Sequence, residues 1–502
     1  MSFVRCSGPP ASRVTCLPSL QLFYIFDKRS QRRVLISYGL IACCAIACIA
    51  GFLFGYDSGI VGTVSHSDFV HHFDFTKAQK THVSSLCVSL QQLGAFVACP
   101  VSIPISRKYG RKTAILWGSV VFCIGAMLQT VPSGSLPCFY VGRVIAGLGL
   151  GTMTVVVPQY NAEMSPKELR GRLGSFFQMA FTLGIFTSYW VDYGVQVNMG
   201  NSNSQWQIPV GMQILFSGLL ALGMFTVKES PRWLAKKDRG EEALANLQWI
   251  QFLEKPVLKS MIAGFILFMA QQATGATAFA YYSPQYFSVL VGDNETRSLL
   301  LSGIFGAVKV AACFLFVILA ADRFSRKLNL SVGAFGMAAT QIVTAIVLKL
   351  KPVSSDAAQS VPPNAKATVA MIYLFVIVYN FSWGPLPWPY CNEFFSNRYR
   401  EAGVALAVSS QWLFNFVFTI STPYMIDSMG WGTFLLWGLF DIVIGIFTVL
   451  FARETRGLSL EKSGQPDVFK DDSESKLNDL RRSSSASDHN KTPAQVNETA
   501  TN

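Results

Sequence analysis

Charge is scarce in this sequence: Asp, Glu, Lys and Arg make up only 14% of its 502 residues, against about a quarter in an average soluble domain. That shortfall excludes an ordinary soluble enzyme. Histidine is scarcer still, with five in all, confined to the 66–82 region and the C-terminal tail. No Ser/His/Asp, Cys/His or metal-ligand constellation can be assembled from such a set, so neither an enzyme nor a metal site is expected. The 11 cysteines lack CxxC spacing and lie mostly inside apolar stretches, where they read as small buried hydrophobes instead of a disulfide framework. Acidic residues are also short, 29 against 41 basic ones, for a formal charge of +12. In this context the excess suits membrane-flanking loops, not nucleic acid.

Apolar residues are abundant. They reach 51% of the chain, with a mean hydropathy of +0.36, far more than one anchor of about 20 residues supplies. Apolar segments fall at 37–62, 83–105, 113–131, 137–159, 173–193, 207–227, 259–289, 298–321, 329–349, 368–390, 403–424 and 432–452, about twelve spans by length. The connections alternate in charge. Arg107, Lys108, Arg111 and Lys112 crowd one loop, Lys167, Arg170 and Arg172 a second, and Arg323, Arg326 and Lys327 a third, while 132–136, 194–206 and 425–431 carry no basic residue. The positive-inside rule then places the basic loops and both termini in the cytosol. The first 35 residues hold six basic residues and no apolar run ending in a small-residue cleavage site, so the first span is expected to double as the insertion signal.

This organisation predicts a cytosolic N-terminal segment (1–36), a six-helix bundle (37–227), a cytosolic linker (228–257) with a short helix near Glu241–Leu244, a second six-helix bundle (258–452) and a disordered tail (453–502). The halves echo each other at an offset of roughly 215–230 residues, as in duplicated transporters. RKYGRK at 107–112 answers DRFSRK at 322–327. AEMSPKELRGR at 162–172 answers NEFFSNRYREAG at 392–403, and KESPR at 228–232 answers RETRG at 453–457. Each pair lies at a cytosolic span end. The expected result is an intracellular gate of ion pairs that hold the halves together when the cytosolic side is closed, formed by Glu163, Glu229, Glu393 and Glu454 with Arg111, Arg170, Arg172, Arg232, Arg326 and Arg400; anchoring of helix ends at the headgroups is the competing role for any one of them.

An ionisable side chain inside a span is costly and so marks function by default. Asp57 and Arg143 are two such residues, and a carboxylate that holds an arginine when ionised and releases it when protonated makes a proton switch; a static ion pair is the alternative. Lys309 and Asp441 are also intramembrane and receive no role. Uncharged polar residues gather on particular spans: Gln178, then Gln271, Gln272, Thr274 and Thr277, then Trp388, then Gln411 and Asn415. Amides supply donors and acceptors for a polyhydroxylated solute, and an indole packs on its C–H face. A lone glutamine more often joins helices. Beside Gln271 and Gln272, however, Gly275 and Pro284 interrupt the span, as Gly384, Pro385, Pro387 and Pro389 interrupt the tenth, and broken helices mark transporter binding sites.

Taken in order, GYDSG (55–59), Gly142-Arg143, PKELRGR (166–172), ESPRWL (229–234), QQATG (271–275), GPLPWPYCNE (384–393), QWLFNF (411–416) and RETRGLSLE (453–461) resemble the sugar porter family of the major facilitator superfamily, with fungal character in YYSP, SWGPLPW and SQWLFNF. The resemblance implies an all-α fold of twelve transmembrane helices in two pseudo-symmetric six-helix bundles. It further implies sugar contacts at Gln178, Gln271, Gln272, Thr277, Trp388 and Asn415, and proton coupling at Asp57 and Arg143, where facilitative members tend to be neutral at the first position. The expected activity is proton-coupled uptake of a monosaccharide, polyol or sugar acid across the plasma membrane by a monomer, needing no cofactor beyond the proton gradient. A facilitative carrier, a transport-inactive sensor and an exporter of a secondary metabolite are the alternatives on the same scaffold. Four departures bear on gating and on a plain hexose as solute: Arg107 replaces the usual Asp of its loop, DRFSRK at 322–327 lacks the glycine of its counterpart, Thr277 replaces an Asn, and the linker after Trp233 is short.

Overall fold

A computed structural model describes residues 45–60, 67–131, 135–164, 170–199, 204–230, 233–234, 255–291, 295–319, 324–350, 363–395, 399–452 and 454. The N-terminal segment, the predicted linker helix, the tail beyond Glu454 and Arg232 lie outside them, as do the side chains of Arg170 and Arg172. Every described element is helical: α1 (Ala45–Gly59), α2 (Ser67–His72), α3 (Lys77–Tyr109), α4 (Arg111–Thr130), α5 (Leu136–Met164), α6 (Arg170–Asn198), α7 (Ser204–Thr226), α8 (Lys255–Ala273), α9 (Ala276–Val291), α10 (Glu295–Leu319), α11 (Arg326–Leu350), α12 (Pro363–Phe381), α13 (Pro387–Phe394), α14 (Arg400–Met429) and α15 (Trp431–Phe451). The pairs α8/α9 and α12/α13 each form one interrupted crossing, which with α1, α3–α7, α10, α11, α14 and α15 makes twelve crossings in two bundles of six. Among the described residues ten of these crossings, with α8 and α9 taken as one, are long and apolar enough to cross a membrane. The exceptions have local causes: α1 is described only from Ala45, and α6 carries Ser175, Gln178, Thr182, Ser188 and Asp192, all buried inside the protein.

Several helices outrun their apolar segments. The 33 residues of α3 measure about 50 Å at 1.5 Å per residue, longer than a bilayer core of about 30 Å, because the helix continues into the headgroups with Arg107 and Lys108 in its last turn. Hydropathy marks the lipid core, and backbone hydrogen bonding carries the helix past it. The short α2 was not expected; its Phe69 joins Phe73, Phe75, Phe139 and Trp206 in an aromatic cluster over one end of the first bundle.

Small residues set the packing. A Cβ on Gly147 would lie 2.1 Å from the Gln91 carbonyl, so α5 touches the backbone of α3, an approach typical of helices packed in lipid. Between the bundles, α3 lies along α14 and α6 along α10. At Gly275 the seventh crossing breaks: φ is +77°, a region that disfavours a side chain, and α9 kinks again at Tyr282, two residues before Pro284.

Candidate functional site

The site starts from a helical-wheel constraint on α1. Gly55 and Gly59, four apart, share one face and press on α6, where a Cβ at Gly55 would fall 1.8 Å from the Phe181 carbonyl. Asp57, two residues along, therefore points away from α6 and toward α5. There Arg143 Nη1 donates to Asp57 Oδ1 at 2.7 Å, and Gln91 Oε1 accepts from the same nitrogen. Both charged side chains are buried. Arg143 Nε and Nη2 have no hydrogen-bond partner among the described residues, and the guanidinium lies 5.7 Å from the Phe139 ring centroid. Among the described residues Asp57 thus supplies the one carboxylate paired with this arginine, and removing one member of such a buried pair typically costs about 3–5 kcal/mol.

This pair faces the boundary between the bundles. Asp57, Val88, Gln91, Gln92 and Arg143 from the first half and Tyr281 and Trp412 from the second close around it there, too tightly to hold a water molecule. Ser58, adjacent to Asp57, donates to the Tyr281 hydroxyl at 3.3 Å, and that hydroxyl also faces Gln92 and Asn415. Trp412 Nε1 donates to Thr154 Oγ1 at 3.0 Å. One tyrosine therefore touches both the ion pair's neighbour and the amide set of α14.

The amides and indole singled out in the sequence line the same boundary. Trp388 sits between Phe177 and Phe268, with ring centroids 4.9 and 5.1 Å away, and its Nε1 donates across the halves to Gln178 Oε1 at 3.2 Å. Gln271 Nε2 donates to the carbonyls of Trp383 (2.9 Å) and Gly384 (3.3 Å), tying one broken crossing to the other. The Oε1 atoms of Gln271, Gln272 and Gln411 and both amide atoms of Asn415 are buried with no protein partner among the described residues. A buried polar atom left unsatisfied costs about 1–3 kcal/mol, and these clustered atoms are available to hydrogen-bond with hydroxyls. Thr277 is half-buried and faces the Tyr379 hydroxyl. A larger apolar groove between α8, α11, α13 and α15, lined by Leu267, Leu330, Tyr390 and Phe447, opens elsewhere and shares none of these amides.

The charged end is built on the repeat. In the first half Arg111 is held by Glu163 at 3.2 Å from Nε and 3.1 Å from Nη2, while Glu229 accepts from the backbone N–H of Arg111 at 3.0 Å and of Lys112 at 3.1 Å. In the second half Arg326 lies 3.5 Å from Glu393, and Glu454 accepts from the backbone N–H of Arg326 at 3.1 Å and of Lys327 at 3.4 Å. Glu229 and Glu454 therefore sit as anions on the N-termini of α4 and α11, where unpaired N–H groups and the helix dipole favour negative charge. These contacts lie within each half, so contrary to expectation they do not hold the halves together; each glutamate binds a helix end or arginine of its own bundle. Arg400 donates to the carbonyls of Asn392 (3.3 Å) and Phe395 (3.0 Å).

Sequence reasoning missed the residue that joins the halves here. Glu401 accepts from Arg107 Nε at 3.0 Å and from Arg111 Nη2, and its backbone carbonyl accepts from Gln159 at 3.3 Å. Arg107, a departure from the family pattern, is thus one arm of an inter-half latch. The opposite end is also closed, by Thr81 to Asp427 (2.9 Å), His82 with Tyr424 (3.0 Å), Ser85 to the Ile420 carbonyl (3.0 Å) and Gln285 to Ser84 (3.1 Å). Asp192 was missed too: it is fully buried on α6, and neither carboxylate oxygen has a hydrogen-bond partner among the described residues. Its acidic position inside an apolar run was the available signal. Asp441 accepts from Gln341 at 3.4 Å, and Gln341 donates to the Thr274 carbonyl at 3.0 Å, a brace beneath the break at Gly275.

Two pseudo-symmetric bundles around a polar central boundary, gated at both ends, define a membrane transporter of the major facilitator fold. The chain belongs to the sugar transporter family: the model described as Sugar (and other) transporter matches residues 43–255 and 245–465. It is 30% identical over 486 residues to a probable quinate permease of Aspergillus fumigatus, covering 88% of this chain and 90% of that protein. Similarity to the quinate permease of Emericella nidulans is 29% over 484 residues, covering 88% and 91%. Among solved structures, the proton:xylose symporter XylE bound to 6-bromo-6-deoxy-D-glucose superposes with a TM-score of 0.72 at 24% identity, covering 85% of this chain and 98% of that one; the likeness is one of fold.

Proposed function

We propose that this protein is a proton-coupled importer of a polyhydroxylated solute, a monosaccharide, polyol or sugar acid, working by alternating access in the plasma membrane. It acts as a monomer, catalyses no covalent reaction, and uses the proton gradient as its only energy source. Both termini face the cytosol, a sidedness supported by the basic loops at 107–112 and 323–327. The observation that carries the reading is the Asp57–Arg143 pair at 2.7 Å, one residue from the Ser58–Tyr281 contact that reaches the amide cluster.

The physical mechanism is a competition for Arg143. Two unit charges about 4 Å apart attract by about 4 kcal/mol at an effective dielectric of 20, and a proton on Asp57 removes that attraction. Arg143 is then free to turn its uncommitted nitrogens elsewhere, and α1 is released from α5. Solute bound by Gln178, Gln271, Gln272, Thr277, Trp388 and Asn415 bridges the halves and draws them together. Differential binding of a few kcal/mol suffices to invert the populations of the two facing states. The names of the fungal relatives extend the candidate solutes to cyclic hydroxy acids.

The test is uptake by purified protein in liposomes, with and without an imposed proton gradient, over labelled glucose, xylose, galacturonate and quinate. Saturable accumulation that collapses with a protonophore is the expected result. Gradient-independent equilibration of the same solute would overturn the coupling, and no uptake of any of them would overturn import.

A further inference from the structure

Lys309 has no part in the coupling pair, the gate or the amide cluster, yet it is a buried amine in the middle of α10, with 2% of its surface exposed. No carboxylate lies within ion-pair distance of it among the described residues. Its Nζ instead lies 5.2 Å from the ring centroid of Phe181 on α6 and 6.0 Å from that of Tyr379 on α12. Cys313, one turn on, interacts with it and with Thr182. The acid nearest along α6, Asp192, is 11 residues from Phe181, about 16 Å of helix rise, and the described part of α12 contains no acid.

Two aromatic faces do not balance a buried ammonium: each contributes about 0.5–2 kcal/mol, and burying an ion costs several. An anion brought beside it would hold the amine charged, and the location says where one can come from. Phe181 is one turn beyond Gln178, the partner of Trp388. Tyr379 presents its hydroxyl to Thr277 and Gln271. Lys309 therefore borders the solute cluster through both of its aromatic walls.

We infer that Lys309 is the counter-ion for a carboxylate carried by the solute, so that the preferred substrate class is a cyclic polyhydroxy carboxylate and not a neutral sugar. The inference rests on the transport reading above. Hydroxyls of the solute meet the amide oxygens of Gln271, Gln272 and Gln411 and the amide of Asn415, while its carboxylate pairs with the Lys309 ammonium. A proton delivered through Asp57 accompanies the anion on a separate group. The side chain is a specificity determinant: it discriminates charge, and the amides recognise the hydroxylated ring.

Equilibrium binding to purified protein in detergent separates this inference from transport. Labelled quinate and its neutral carboxamide are titrated into the wild type and into Lys309→Met, which keeps length and volume without charge, and melting temperature controls for folding. The expected result is a loss of quinate affinity of at least about tenfold in Lys309→Met, since hydrogen bonds to charged groups are the strong ones, with carboxamide affinity held within about twofold and partial recovery of quinate in Lys309→Arg. Equal loss of both ligands would assign Lys309 to structure alone. Unchanged quinate binding, or wild-type protein that prefers the carboxamide or binds neither, would overturn the inference. Binding without uptake in liposomes would instead overturn the transport reading and leave the charge selectivity standing.

Discussion

Arg107 and Glu401 meet at 3.0 Å although 294 residues separate them in the chain. Glu401 simultaneously accepts from Arg111, which Glu163 holds from the other side. A chain of charges thus runs from the interior of one half into the other, and closing this end of the transporter is an electrostatic event as well as a packing one. Since Arg107 keeps 30% of its side-chain surface exposed, its share is screened by solvent. The buried Arg111 carries the stronger part.

Glu401→Gln should open this end. Loss of the carboxylate leaves two guanidinium groups facing a neutral amide, so the closed arrangement loses its inter-half attraction while the contacts of Arg111 with Glu163 persist. Electron–electron distances between spin labels at Lys108 and Tyr399 are expected to shift to longer values, and high salt should produce a weaker version of the same shift in the wild type. An unchanged distance distribution would remove the latch role.

Asp57→Asn should uncouple the carrier. A side chain that binds no proton cannot link solute movement to the gradient, so accumulation driven by a pH difference is expected to vanish, while exchange of labelled for unlabelled solute continues within a few-fold of the wild type. Equal loss of both activities would make Asp57 a structural partner of Arg143.

Trp388→Phe should weaken solute binding with little change in stability. The ring still packs between Phe177 and Phe268, but the indole N–H that reaches across the halves to Gln178 is gone, and with it a donor for a solute oxygen, worth about 1–3 kcal/mol. The half-saturating solute concentration is expected to rise by about five- to a hundredfold in an uptake assay. Melting of the purified protein should stay within a few degrees of the wild type.

Gly275→Val should destabilise the second half. The backbone at φ +77° disfavours any side chain, and a Cβ there would lie 2.7 Å from Trp437 Cδ2. A cost of about 1–3 kcal/mol for the strained backbone predicts a lower melting temperature in detergent and loss of expression at the membrane. A Gly275→Val variant that melts with the wild type would show that this break tolerates substitution.

What the chain could announce by itself was local or periodic. Apolar segments located the crossings, because the cost of exposing polar backbone to lipid forces each into a helix. Gly275 and the prolines around Gly384 announced the two broken crossings, because their backbone limits travel with the residue. The repeat aligned Glu229 with Glu454 and Arg111 with Arg326, and both pairs occupy matching helix ends in the two halves. Asp57 and Arg143 stood out because ionisable groups are rare inside spans. The sequence could not indicate that Glu229 and Glu454 bind backbone N–H groups, since spacing shows charge but not what the charge faces.

Partnership between distant helices was decided by the tertiary structure alone. Whether Arg107 finds a carboxylate depends on α3 lying along α14, and no local pattern encodes that approach. Asp192 and Lys309 look alike in the sequence, single ionisable residues in apolar runs, yet one is enclosed without a hydrogen-bond partner among the described residues and the other stands between two aromatic faces. Composition and hydropathy are properties of segments and therefore fix how many times the chain crosses the membrane. The roles of its few buried charges depend on distances between segments, which exist only once the two bundles have packed.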